Sequence, residues 1–248
     1  MKKLLLVLMF LTSTCFAKDI VLTRDNTATL RGPVDGTSVA DVMSQLSELN
    51  KVGGENDPIY LILQTPGGSV FAGLQLIEYM NSLRRPVHSV ANFAASMGFH
   101  ILENSKKRYI TKYGTIMSHR ASGGFDGDIP QQVNSRFKHI VDLIEKMDDQ
   151  VISRTNGKYT RASYMELIRD EYWAVGSNTI TDGFVDEVAS LKCDSSLEGT
   201  TEKIFNTVFG PVSVVFSNCP LITQPLKVSG VGSEEVGKIL NTVRKLEL

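Results

Sequence analysis

Ser96 sits among small residues in Asn92-Phe93-Ala94-Ala95-Ser96-Met97-Gly98, after an apolar run (Val87 to Ala91) and before a short helical one (Phe99 to Leu102). A strand-to-helix turn of this kind exposes a hydroxyl. It also aims the free N–H groups of the helix start at whatever the hydroxyl attacks. A serine is a weak nucleophile unless a base takes its proton and donors hold the oxyanion. His119, in Met117-Ser118-His119-Arg120, is the candidate base, because imidazoles take and return protons near neutral pH. A carboxylate would then fix the ring's tautomer. Upstream, Thr65-Pro66-Gly67-Gly68-Ser69 is a tight turn whose two glycines let backbone approach a ligand closely. That turn and the Met97 N–H would supply the oxyanion donors, with Gly67 and Ser69 against the substrate. These parts suit acyl transfer, most simply peptide hydrolysis.

Each residue also has a plainer reading: Ser96 as a helix cap, His119 as a buried structural histidine, Gly67-Gly68 as an ordinary turn. The three together, in this order, favour the chemistry. His100, one helical turn after Ser96, is a rival base that would point poorly toward the hydroxyl. His88 and His139 read as structural or surface residues. The histidines and cysteines lack metal-ligand spacing, and no nucleotide-binding glycine loop occurs, so neither metal nor cofactor is expected.

The elements that must position these residues alternate. Strand-like runs at Ile20 to Thr23 and Thr27 to Leu30 precede a helix capped by Thr37-Ser38, with Val39, Val42, Met43, Leu46 and Leu49 at helical spacing. Ile59 to Leu63 reads as a strand buried on both faces, followed by a helix from Val70 to Leu83 that ends before Pro86. Arg108 to Ile110 and Thr115 to Met117 read as two short strands around a turn at Tyr113-Gly114. After the glycine-rich segment from Ala121 to Asp128, the longest helix runs from about Pro130 to Arg154, its apolar stripe suited to core or a subunit interface. A helix from Arg161 to Ile168 and a last strand from Phe184 to Val188 follow. The alternation predicts an α/β fold with mainly parallel pairing. Beyond Ser190 come a polar loop, a β-rich run (Ile204 to Phe216) and a final helix from Glu234 to Leu246.

The chain has 248 residues, 42% of them hydrophobic and 21% charged, with net charge -1. That balance supports a normal core and gives no basic footprint for nucleic acid. Lys2 and Lys3, the apolar run Leu4 to Leu11 and Cys15-Phe16-Ala17 read as a secretory signal peptide cut after Ala17. A lipoprotein modified at Cys15 and an uncleaved anchor are the alternatives. The expected divisions are a signal peptide over 1–17, a catalytic domain over 18–190 and an extension over 191–248, with no membrane span once the signal is gone. The expected location is periplasmic or secreted. Cys193 and Cys219 would remain, as one disulfide in an oxidising compartment or as two buried thiols.

From about Thr27 to Val188 the chain resembles the proteolytic subunit of the Clp protease. YLILQTPGGSVFAGLQLIEYM resembles that family's strand, turn and helix, ANFAASMG its nucleophile stretch, GTIMSHR its histidine stretch, and RDEYW followed by TDGFVDEV its acid region and closing strand. The resemblance implies a Clp/crotonase-like repeated β-β-α superhelix with a protruding handle helix. It makes Ser96 the nucleophile, His119 the base, and Gly68 and Met97 the oxyanion donors. Counting back from Gly183 selects Trp173 as the family's aromatic and Glu171 as the acid; choosing Tyr172 selects Asp170. It further implies peptide or unfolded-protein substrates and homo-oligomeric rings, commonly heptamers, single or stacked in pairs. Asn92-Phe93, Arg120-Ala121, the export signal and the extension depart from the family. An exported member has no obvious access to ATP, so an ATP-independent peptidase is expected. The competing readings are a Ser-Lys peptidase using Lys106, Lys107 or Lys112, an inactive Clp-like or crotonase-like scaffold that binds peptides, and, more weakly, an acyl-CoA enzyme.

Overall fold

A computed structural model describes residues 17–124, 127–207 and 210–230. The signal-peptide reading, Cys15 and the expected final helix lie outside these residues, apart from Ala17 itself.

The body is a seven-stranded sheet of β1 (Lys18–Leu22), β2 (Thr27–Arg31), β3 (Ile59–Thr65), β4 (Val87–Ala95), β5 (Lys107–Ser118), β6 (Tyr172–Val175) and β7 (Glu187–Cys193). The order is β1-β7-β5-β4-β3-β2, all parallel, while β6 pairs antiparallel with the end of β5. Between the strands run α1 (Gly36–Lys51), α2 (Val70–Ser82), α3 (Met97–Glu103), α4 (Gln131–Ser153), α5 (Arg161–Leu167) and α6 (Asn178–Thr181). The central strands β3 and β4 are buried along most of their length, as expected where parallel strands are covered on both faces.

Four local expectations need correction. The cap of α1 is Asp35, not Thr37-Ser38. Its carboxylate accepts from the Thr37 and Ser38 N–H groups at 2.9 and 2.8 Å, and Ser38 Oγ accepts from the Asp35 N–H at 3.0 Å. The two short strands around Tyr113-Gly114 are one strand, β5. The turn-like residues form an irregularity opposite Asn92, where Gly114 comes so close that a Cβ would lie 2.3 Å from the Ala91 carbonyl. The last strand is β7 rather than Phe184 to Val188. Phe184 is wholly buried and packs its ring against Phe99, Tyr159, Tyr164 and Tyr172, so core packing takes it out of the ladder. The first strand is Lys18–Leu22, with Thr23 outside it.

Beyond β7 the chain makes a 3₁₀ turn at Ser195–Leu197 and a second sheet, in which β8 (Thr200–Thr207) and β10 (Lys227–Gly230) flank β9 (Gly210–Ser217), all antiparallel. Strand β10 lies beyond the expected β-rich run, where the sequence predicts no strand. A Cys193–Cys219 disulfide ties the end of β7 to the end of this sheet, and Arg31 Nη2 donates to the Pro220 carbonyl at 2.9 Å.

Candidate active site

Two β-ladder ends converge at Ser96. Asn92 is an extra residue of β4 against β3, and against β5 it faces the longer stretch Thr111 to Gly114, so both registers shift just before the last residues of the strand. The Ser96 N–H then donates to the Met117 carbonyl at 2.8 Å, which fixes the turn against β5. Ser96 is the N-cap of α3 and has φ 53°, ψ -118°, a left-handed conformation that a non-glycine residue holds only when its surroundings enforce it. The side chain makes no capping bond. Instead its Oγ lies 2.8 Å from His119 Nε2.

His119 follows the last residue of β5, where Ser118 Oγ and the Tyr164 hydroxyl are 2.9 Å apart in the buried core. Base and nucleophile therefore stand on adjacent parallel strands, 23 residues apart in sequence.

The Pro-Gly-Gly turn packs directly on this pair. The Val34 N–H donates to the Gly67 carbonyl and the Ser69 N–H to the Val34 carbonyl, both at 2.8 Å. Gly67 has φ 92°, and a Cβ there would sit 2.6 Å from Ser96 Cβ and 2.8 Å from the Met97 nitrogen. Gly68 has φ 146°, and a Cβ there would meet the Val34 carbonyl at 2.4 Å. Both positions require glycine. Neither the Gly68 nor the Met97 N–H donates to a backbone carbonyl among the described residues. Ser69 caps α2 through its hydroxyl, which accepts from the Ala72 N–H at 3.3 Å.

The two acid candidates separate. Asp170 is on the surface and accepts from Arg169 Nη2 at 2.9 Å. Glu171, with φ 74°, accepts from Trp173 Nε1 at 2.9 Å. Neither carboxylate is hydrogen-bonded to His119 among the described residues. β6 pairs Met117 with Trp173 and Ser118 with Tyr172, and the ladder ends there, with His119 and Glu171 the next residue on either side.

The rival bases lie elsewhere or are unsuited. Burial, with His119 beside it, pushes His100 down to about 4, and its Nδ1 is buried without a partner among the described residues. Lys107 Nζ is bound to Glu187 at 2.6 Å at the far end of the sheet, near Lys106, and Lys112 lies over the Tyr113 ring. No group of histidine, cysteine, aspartate or glutamate side chains among the described residues could hold a metal ion.

A model of the Clp protease family matches residues 13–192. The chain belongs to the Clp protease family. Among its Clp relatives, the ATP-dependent Clp protease proteolytic subunit of Streptococcus gordonii is 32% identical over 171 residues, covering 67% of this chain and 86% of that protein. The proteins of the same description from Streptococcus pyogenes serotype M5 and Streptococcus equi subsp. equi are each 30% identical over the same length and coverage. The Clp assignment makes the chain a serine-type peptidase of an oligomeric family that acts on peptides. The parallel sheet and its covering helices are consistent with the Clp fold.

One residue beside the site escaped the sequence reading. Asp148, on α4, lines the same cavity as Ser96 and His119 and is buried. Its signal was a lone acid on the helix face shared by Ile144 and Val151.

Proposed function

We propose that this protein cleaves short or unfolded polypeptides through a Ser96–His119–Glu171 triad. The observation that carries the reading is the 2.8 Å contact between Ser96 Oγ and His119 Nε2, on a strained turn beside two backbone N–H groups that have no backbone acceptor among the described residues. His119 Nε2 takes the hydroxyl proton as Oγ attacks the scissile carbonyl. The carbonyl oxygen, now negative, lies against the Gly68 and Met97 N–H groups. The same imidazolium returns its proton to the departing amine, and water then hydrolyses the acyl-serine with His119 as base again. Glu171 turns from Trp173 to accept from His119 Nδ1–H, which fixes the tautomer; the β6 register supports this choice over Asp170.

The segment over residues 1–17, read as a secretory signal, supports an exported, ATP-independent enzyme, since an exported member has no obvious access to ATP. The described helices include none long and apolar enough to cross a membrane. Family membership supports a homo-oligomeric ring. Helix α4 would carry ring-to-ring contact, because its buried residues, Met147, Asp148 and Val151, are confined to its C-terminal part. The second sheet, outside the matched region, would be a separate extension. The test is covalent labelling by a fluorophosphonate, located by mass spectrometry, with peptide cleavage measured in parallel. Ser96 is expected to label, and Ser96→Ala to abolish both signals. A folded protein that neither labels nor cleaves would overturn the reading.

A further inference from the structure

The cavity beside Ser96 holds a charge that the hydrolytic chemistry does not use. It encloses about 150 Å³ and has Ser96 and His119 in its wall. Most of the rest is apolar, with Val70, Met97, Ile144, Met147, Met165 and Ile168 among the lining residues. Asp148 is the one carboxylate among them. It is 4% exposed, and no hydrogen bond reaches its carboxylate from the described residues. Burial, reinforced by Asp149 and Glu145 and opposed by Arg161, pushes this group up to about 6.

The nearby cations are committed elsewhere. Arg161 pairs with Asp149 and donates to the Glu145 carbonyl at 2.8 Å. Arg120, at the cavity wall, donates to the Met165 carbonyl at 3.1 Å. A carboxylate surrounded by apolar side chains is poorly screened and attracts a cation strongly. The cavity offers about five times the ~30 Å³ share of one liquid water, room for a single side chain. Apolar walls suit the methylenes of a long basic residue, and the carboxylate suits its head.

We propose that Asp148 is a specificity-determining residue, which makes this cavity the receptor for a lysine or arginine side chain on the residue whose carbonyl Ser96 attacks. The proposal rests on Ser96 being the nucleophile, and deepens that reading by naming the substrate class.

The test uses the full chain and peptides that differ only in the residue before the cut bond: lysine or arginine against methionine, leucine and citrulline. The basic peptides are expected to lead in kcat/KM by about ten- to hundredfold, the size of one charge-assisted hydrogen bond. Asp148→Asn is expected to bring that ratio toward unity. A wild type that prefers leucine or methionine would overturn the proposal, as would a ratio unchanged in Asp148→Asn. If that variant does not fold, cut sites of the wild type in a denatured protein mixture, read by mass spectrometry, decide it: basic residues before the cuts support the proposal, and apolar ones sink it. Ser96 labelling separates the failures. A labelled enzyme with an apolar preference loses only Asp148's role, whereas an unlabelled, inactive protein loses the peptidase reading and this one with it.

Discussion

Gly67→Ala tests whether the turn and the nucleophile are fitted to each other. The added Cβ would stand 2.6 Å from Ser96 Cβ, 2.7 Å from the Ala95 carbonyl and 2.8 Å from the Met97 nitrogen, whereas ordinary contact begins near 3.4 Å. Two of those neighbours are backbone and cannot swing aside. Relief therefore requires the turn to retreat by about 0.8 Å from Ser96. An oxyanion bond from the adjacent Gly68 N–H, about 2.9 Å when well formed, would stretch beyond the ~3.5 Å at which it still counts. Losing one such donor lowers kcat about 10²- to 10³-fold, or roughly 3–4 kcal/mol of transition-state stabilisation. KM is expected to change little, because the interaction is made mainly in the transition state. The positive φ of 92° adds about 1 kcal/mol of folding cost. Gly157→Ala is the control: its φ is 79°, but nothing lies within 4 Å of its Cβ position, so it carries the strain without the clash. Kinetics on a fluorogenic peptide, with thermal unfolding of both variants, compares them. If folded Gly67→Ala keeps kcat within about threefold of wild type, the turn is not an oxyanion element at this distance and the reasoning fails.

Three further outcomes are expected. Glu171→Gln should lower kcat by about 10²- to 10⁴-fold with Asp170→Asn nearly silent; the opposite ranking in the same peptide assay would give Asp170 the orienting role. The Cys193–Cys219 bridge closes a loop of 26 residues, so its removal by paired serine substitutions should cost about 3.5 kcal/mol in urea unfolding; an unchanged midpoint would mean the second sheet is held by its other contacts. The Asp148 carboxyl titrates near 6 when folded and near 4 when unfolded, so the folded state holds its proton more tightly. Stability should therefore fall as pH rises from about 4 to 6, by roughly 3 kcal/mol, and stay level above that range. Asp148→Asn should remove this step, and a wild-type stability curve with no fall across that window would show the carboxylate to be solvated.

The local chemistry was legible because short motifs carry it. Pro66-Gly67-Gly68 can only be a tight turn, and a strand ending in Ala-Ala-Ser before a helical run places a hydroxyl at a turn. Two strands with a helix between them, each long enough to be buried, imply parallel neighbours. Family membership could be recognised from those motifs in order. Boundaries were less legible where tertiary contacts override local preference. Phe184 looks like strand, but four rings claim it for the core. Tyr113-Gly114 looks like a turn, but β5 runs on through it, with Thr111 to Gly114 opposite the single β4 residue Asn92.

The sequence by itself therefore determined the kinds of groups available: a hydroxyl, an imidazole, glycines free to adopt positive φ, two candidate acids and the cysteines Cys193 and Cys219. Their types and order follow from side-chain chemistry and need no third dimension. Only the tertiary structure decided which of them meet. Ser96 and His119 come within 2.8 Å because β4 and β5 are parallel neighbours whose register shifts at Asn92. The antiparallel pairing of Tyr172 with Ser118 brings the segment that carries both candidate acids to the end of β5. Asp148 joins the site because α4 packs its last turns against α3 and α5, an apposition between segments about fifty residues apart that no local pattern encodes.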